Sequence, residues 1–143
     1  MYKPALVFNM LHLGYFLLTT NINLFPFNNI KSFTLKQRLL EGAIHDTLML
    51  YSVIALLVNN KVMILIAVCY LGFLLIGEYL SWWQYYLFGP TEKWKTFYDK
   101  VFKDTIKILP AIKDNPIPNL EHCILHLVTL ITLIVTLMYY ISL

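Results

Sequence analysis

The chain has 143 residues, 59% of them hydrophobic and only 13% charged, with a mean hydropathy of +0.64. Soluble domains carry about 25% charged residues, so the balance points to a membrane protein, and the length to a single membrane domain covering residues 1–143. The net charge of +3 is small and lies in two connecting segments, which gives no nucleic-acid signature and reads as a topology signal.

The first span is expected over residues 4–20, "PALVFNMLHLGYFLLTT", with Pro4 in the first helical turn. It lacks a small-residue cleavage site and runs into "NINLFPFNN", so it reads as a retained helix rather than a signal peptide. The second span, residues 35–58, opens on a capping box in which the Thr34 side chain meets the backbone of Gln37. Asn59 and Asn60 form a tight turn into the third span, residues 61–88, which ends in the aromatic "SWWQYYLF" and is stopped by Gly89-Pro90. Residues 91–109 place Trp94, Phe97, Val101, Phe102 and Ile108 near one helical face and lysines over most of the rest. That pattern predicts an amphipathic helix lying on the membrane surface. The fourth span, residues 119–142, starts with Asn119 as its cap. The expected fold is therefore an all-α integral membrane protein, an antiparallel four-transmembrane-helix bundle with one amphipathic interfacial helix. Cys69 and Cys123 fall in apolar stretches of different spans and read as free thiols.

Lysine and arginine set the orientation. Lys31, Lys36, Arg38, Lys93, Lys95, Lys100, Lys103, Lys107 and Lys113 lie in or beside the two long connections, whereas only Lys3 and Lys61 lie at the opposite end. The positive-inside rule puts the long connections in the cytoplasm and both termini outside.

With this orientation the intramembrane polar groups share one depth band in the cytoplasmic half. Glu78 falls ten residues before Phe88, roughly 15 Å from the end of its helix. His45, His12 and His126 lie at comparable depth, with His122 one turn nearer the surface. Helical spacing lines up Glu41, His45 and Ser52 on one face, Glu78, Ser81, Trp82 and Tyr85 on a second, His122, His126 and Thr129 on a third, and Asn9 with His12 on a fourth. A charge near a helix centre costs about 2.5–3.5 kcal/mol on insertion scales, so several such groups call for a compensating role.

Some of these residues have structural explanations. Arg38 three residues before Glu41 suits an interfacial ion pair. Asp46 suits a helix–helix hydrogen bond, and Glu121 a favourable place at a helix N-terminus. His122 can be solvated at the interface, His12 can bond across helices, and the Trp82-Trp83 pair can belong to an aromatic belt. His45, Glu78 and His126 are the hardest to explain in this way.

Two chemistries fit. In one, His45, Glu78, His126 and His12 pass protons to and from a lipid-soluble substrate, with Trp82, Tyr85 and Asn9 shaping its binding site. In the other, His45, Glu78, His122 and His126 ligate a divalent metal, zinc or iron, with His122 and His126 on one helical face. The sequence lacks both His-Glu-x-x-His and the Glu-x-x-His pairs of helical di-iron proteins. The partners implied are the lipid bilayer and a lipid-like small molecule. A non-enzymatic membrane protein is the alternative: a proton-coupled transporter, a partner subunit, or an immunity or effector protein.

"SWWQYYLFGPTEKW" followed by "DNPIPNLEHCILH" resembles a pattern in small bacterial membrane proteins, over residues 78 to about 135. The resemblance implies a multi-pass protein of a bacterial plasma membrane and no particular activity.

Overall fold

In a computed structural model describing all 143 residues the chain is all-α. Four helices are long: α1 Tyr2–Asn21, α2 Leu35–Val58, α3 Lys61–Phe88 and the last, Leu120–Ile141. The short helix α4, Glu92–Val101, precedes that last helix, which is therefore α5. A 3-10 turn, Ile30–Ser32, lies in the first long connection. Three helices, α2, α3 and α5, are long and apolar enough to cross a membrane. α1 has the length but is not in that set, since Asn9 and His12 sit in its middle.

Local chemistry sets the helix ends. The Thr34 hydroxyl accepts from Gln37 N at 3.3 Å while Gln37 Oε1 accepts from Thr34 N at 2.9 Å, a reciprocal capping box. Asn59 adopts a left-handed conformation, φ 55°, which asparagine tolerates better than most residues and which ends α2. Asn60 Oδ1 then accepts from Val62 N and Met63 N to start α3. Gly89, at φ +100°, turns the chain where a side chain would be strained. Asn119 Oδ1 accepts from His122 N at 3.1 Å and starts α5.

The long helices pack in a circuit: α1 against α2 and α5, and α3 against α2 and α5. At the end holding both termini and the Asn59–Asn60 turn, Ala5, Ala55, Leu56, Ile64, Ala67 and Tyr139 form an apolar core. Three alanines there let backbones approach closely. The Tyr139 hydroxyl donates to Asn59 Oδ1, and the Tyr2 ring meets the Tyr139 ring edge-on at 5.5 Å. The α1–α5 seam is polar along much of its length. α1 buries Ala5, Asn9, His12, Phe16 and Thr19 at alternating spacings of four and three, and α5 buries His126, Thr129, Thr132, Thr136 and Tyr139. Asn9 Nδ2 donates to Thr136 Oγ1 at 2.8 Å, and Thr132 Oγ1 to the carbonyl of Phe8 at 3.3 Å. The outward faces are apolar, with Phe73 74% and Val62 67% exposed, as on helices meant to face hydrocarbon.

The expected surface helix over 91–109 is shorter and differently used. It ends at Val101, and its apolar side is turned onto the protein. Trp82 of α3 meets Trp94 at 5.3 Å and Phe102 at 4.9 Å, both edge-on, and Trp94 stacks on Tyr98 at 5.5 Å. The helix stops because tertiary pairing takes over beyond it. Ile106 N donates to the carbonyl of Pro26, and Leu120 N to that of Ile106. The Lys107 ammonium donates to the carbonyls of Phe102, Lys103 and Thr105, closing the open end of the last turn. Burial pushes that ammonium below the usual lysine value, and nearby Asp104 offsets part of the shift. Ile108, assigned from sequence to the apolar face, is left exposed. Cys69 and Cys123 are both free.

Ala67 is fully buried at a close helix crossing, so Ala67→Leu is expected to cost about 1–3 kcal/mol by overpacking. Thr136→Val, which removes one seam hydrogen bond, is expected to cost only about 0.6 kcal/mol. Equilibrium unfolding in mixed micelles ranks the two, and the reverse order would contradict this packing.

Candidate functional site

The central feature is a cavity of about 420 Å³ between the helices at the loop end. The residues that reach it come from all four long helices: Phe16 of α1, Glu41, His45 and Met49 of α2, Tyr70 to Trp82 of α3, and His122, Leu125 and His126 of α5. Five residues singled out from sequence, His45, Glu78, Trp82, His122 and His126, thus line one space. The cavity is open towards the seam between α2 and α3, where its wall includes the exposed Glu41, Phe73, Gly77 and Ser81. Along α2 no residue before Met49 is buried.

α3 contains a π-turn, Tyr79–Trp83, immediately after Glu78. Such single wide turns occur mostly at functional sites. Here adjacent tryptophans both serve α5. Trp82 lies over His122 with ring centroids 4.0 Å apart, and Trp83 Nε1 donates to His126 Nδ1 at 2.9 Å. From sequence Trp83 reads as part of an aromatic belt and not as a site residue. The spacing of a regular helix puts neighbours about 100° apart, and nothing in the residue pattern announces a wider turn.

Glu78 is 7% exposed and held from one side. The Thr129 hydroxyl donates to its Oε1 at 2.7 Å and also lies 3.1 Å from His12 Nε2. Thr129 and His12 are both sealed in the α1–α5 seam. A hydroxyl has one proton and two lone pairs. With the Thr129 proton donated to the Glu78 carboxylate, the His12 Nε2–H donates to Thr129; with Glu78 protonated at Oε1, Glu78 donates to Thr129 and Thr129 to His12. Glu78, Thr129 and His12 therefore form a continuous hydrogen-bonded path across three helices. Neither His12 nor Thr129 lines the cavity, and His12 connects to it through Thr129 and Glu78.

Glu78 Oε2, the Tyr70 hydroxyl and His45 Nδ1 are buried without hydrogen-bond partners, and all three residues line the cavity. The His45 ring packs against Phe16 at 5.4 Å. Unpartnered buried polar atoms are rare, and three of them sit sealed in the wall of one space.

The remaining sequence candidates lie elsewhere. Tyr85 packs against Trp94 at 4.8 Å, on the α4 side. Asn9 is committed to Thr136 and to the carbonyl of Ala5. Glu41 makes no ion pair with Arg38, whose Nε is itself unpartnered. Instead Glu41 and His122 form a shared wall between the large cavity and a smaller one of about 60 Å³ that also meets Arg38, Thr19, Thr20 and Glu121.

The donor set does not form a metal centre. No three His, Cys, Asp or Glu side chains converge on one point. His126 offers Nδ1 to the Trp83 N–H, so in its neutral form its other nitrogen carries the proton and has no lone pair for a metal.

No protein-family model, curated protein or solved structure matches the chain.

Thr129→Val keeps the side-chain shape and removes the shared hydroxyl. It is expected to cost about 1–3 kcal/mol, because Glu78 and His12 each lose a buried partner. Thr129→Ser is expected to restore most of that loss. The infrared carboxyl band of Glu78 should shift in the valine variant and return in the serine variant; a band indifferent to both would break the link between the two residues.

Proposed function

We propose that this chain is an integral membrane protein of four spanning helices that admits a lipid-soluble ligand between α2 and α3 and acts on it by proton transfer. The observation that carries this reading is the single cavity joining two carboxyls and three imidazoles to an apolar, laterally open wall. Its volume falls in the range of small-molecule sites, about 300–1,000 Å³. Glu78 is the group that gives or takes the proton at the ligand, while the Thr129 hydroxyl donates to Oε1 and steadies the carboxylate left behind. His12 positions that hydroxyl, its Nε2–H donating to Thr129 while Thr129 donates to Glu78. The proton returns to Glu78 from the ligand, and none leaves His12. Trp82 forms the apolar floor, with α4 packed beneath it.

The proposed topology places both termini outside, in a bacterial plasma membrane. Support comes from the basic bias of the two long connections and from the clustering of Tyr2, Tyr139 and Asn59 at one end. α1 is the proposed fourth span. Its polar residues face α5, which removes them from lipid.

A second reading is a proton-coupled transporter. It is favoured by the Glu78–Thr129–His12 path, which ties α3, α5 and α1 together through one hydroxyl, so that a change of protonation at Glu78 biases how those helices sit. Under this reading ligand leaves the protein chemically unchanged.

Mass spectrometry of lipid extracts from the purified protein should show one lipid-soluble compound at near-stoichiometric yield. The yield should fall in a folded His45→Ala, Glu78→Ala, His126→Ala triple variant. Equal yield from the variant would sink the cavity as the ligand site. For topology, a cysteine at the exposed position Asp114 is expected to resist an impermeant maleimide in intact cells and react after lysis; labelling in intact cells would invert the orientation.

A further inference from the structure

The two α5 histidines of the cavity are held as opposite tautomers, and the atoms that hold them are not those that face a ligand. His122 Nδ1 lies 2.6 Å from Asn119 Oδ1. That oxygen also accepts the backbone N–H of His122, which identifies it as the amide oxygen, an acceptor only. His122 Nδ1 therefore carries the proton, and Nε2 presents a lone pair. His126 is the reverse. An indole N–H can only donate, so His126 Nδ1 accepts from Trp83 and Nε2 carries the proton. Neither Nε2 is bonded within the protein or belongs to the sealed unpartnered atoms. Both residues line the cavity, with ring centroids 5.9 Å apart.

The wall thus offers a fixed acceptor beside a fixed donor. A hydroxyl complements both, accepting from His126 while donating to His122. The cavity lining contains no lysine or arginine and does contain Glu41 and Glu78, so a phosphate or carboxylate head group would meet like charge without a cation. The rest of the lining, including Phe16, Met49, Phe73 and Leu125, suits a hydrocarbon tail. We infer that the His122–His126 pair recognises an uncharged, hydroxyl-bearing lipid. His126 binds its oxygen, and His122 accepts its proton. This rests on the lipid-ligand reading of the cavity and adds the head-group chemistry. Trp83 and Asn119 become positioning residues, acting through the tautomers they fix.

Two measurements test it. In wild-type protein with isotope-labelled histidine, magnetic resonance of the ring nitrogens reports each tautomer directly. His122 is expected protonated at Nδ1 and His126 at Nε2, and either ring in the other form overturns the inference. Binding is then compared for three tritiated probes of one chain length: farnesol, the hydrocarbon farnesene and farnesyl phosphate. Farnesol should bind about tenfold more tightly than farnesene, the size expected for one or two neutral hydrogen bonds, and more tightly than farnesyl phosphate. Trp83→Phe should erase most of the farnesol preference over farnesene. Asn119→Asp, which keeps an acceptor at the cap, should retain the preference. If no probe binds the wild-type protein, the lipid-ligand reading falls, and this inference with it. If farnesol and farnesene bind alike, or farnesyl phosphate binds best, the cavity keeps a lipid ligand and the hydroxyl assignment is overturned.

Discussion

The hydroxyl of Thr129 lies between Glu78 and His12, and the interior is arranged around satisfying these three groups at once. In an apolar setting an unpaired carboxyl or imidazole is costly, and water is scarce. The chain meets this by making the α1–α5 seam polar rather than apolar. Thr129, Thr132 and Thr136 turn inward with no exposure, and Asn9 and His12 answer them from α1. The same seam packs the polar residues in the middle of α1 against α5. Threonines also satisfy their remaining capacity within their own helix, as Thr132 and Thr136 do with the carbonyls four residues back.

That seam leaves the opposite side of the molecule free to open. α2 and α3 are fastened near Asn59 by small residues and a capped turn, but no residue of α2 before Met49 is buried. The cavity occupies the gap. Its floor is Trp82 of α3, backed by the segment after α3, which folds so that Trp94, Tyr98 and Phe102 interlock with Trp82 and His122. The lysines of that segment are left largely to solvent, and Lys107 closes the end of α4. A stretch whose composition suits a bilayer surface thus serves as the base of a site.

The π-turn after Glu78 connects these features. It lets Trp82 and Trp83 engage successive turns of α5, so that one indole packs over His122 and the other bonds His126. His126 is consequently fixed in orientation and in protonation pattern, and His122 is held in place for Asn119 to set its own. Sites whose polar groups are pre-set in this way lose little on binding, since the side chains do not have to be ordered by the ligand.

Much of the architecture was legible in the residues. Apolar runs of helical length, the Thr34 capping box, the Asn59–Asn60 turn, the Gly89-Pro90 stop and the Asn119 cap are local signals, decided within a few residues of where they act. Common depth and helical face also brought His45, Glu78, His122 and His126 to notice, because a helix repeats regularly enough for spacing to imply direction. Tertiary structure alone decided which neighbour each face meets. It placed Tyr85 against Trp94 instead of in the cavity, set Glu41 apart from Arg38, turned residues 92–101 onto the protein and ended that helix short of residue 109. It also decided the hub at Thr129 and the tautomers of the two histidines, since both depend on which atom of a distant helix lies within about 3 Å. Periodicity fixes a direction around one helix axis, but a hydrogen bond between helices also needs their separation, rotation and registry, which arise only when all the helices pack together.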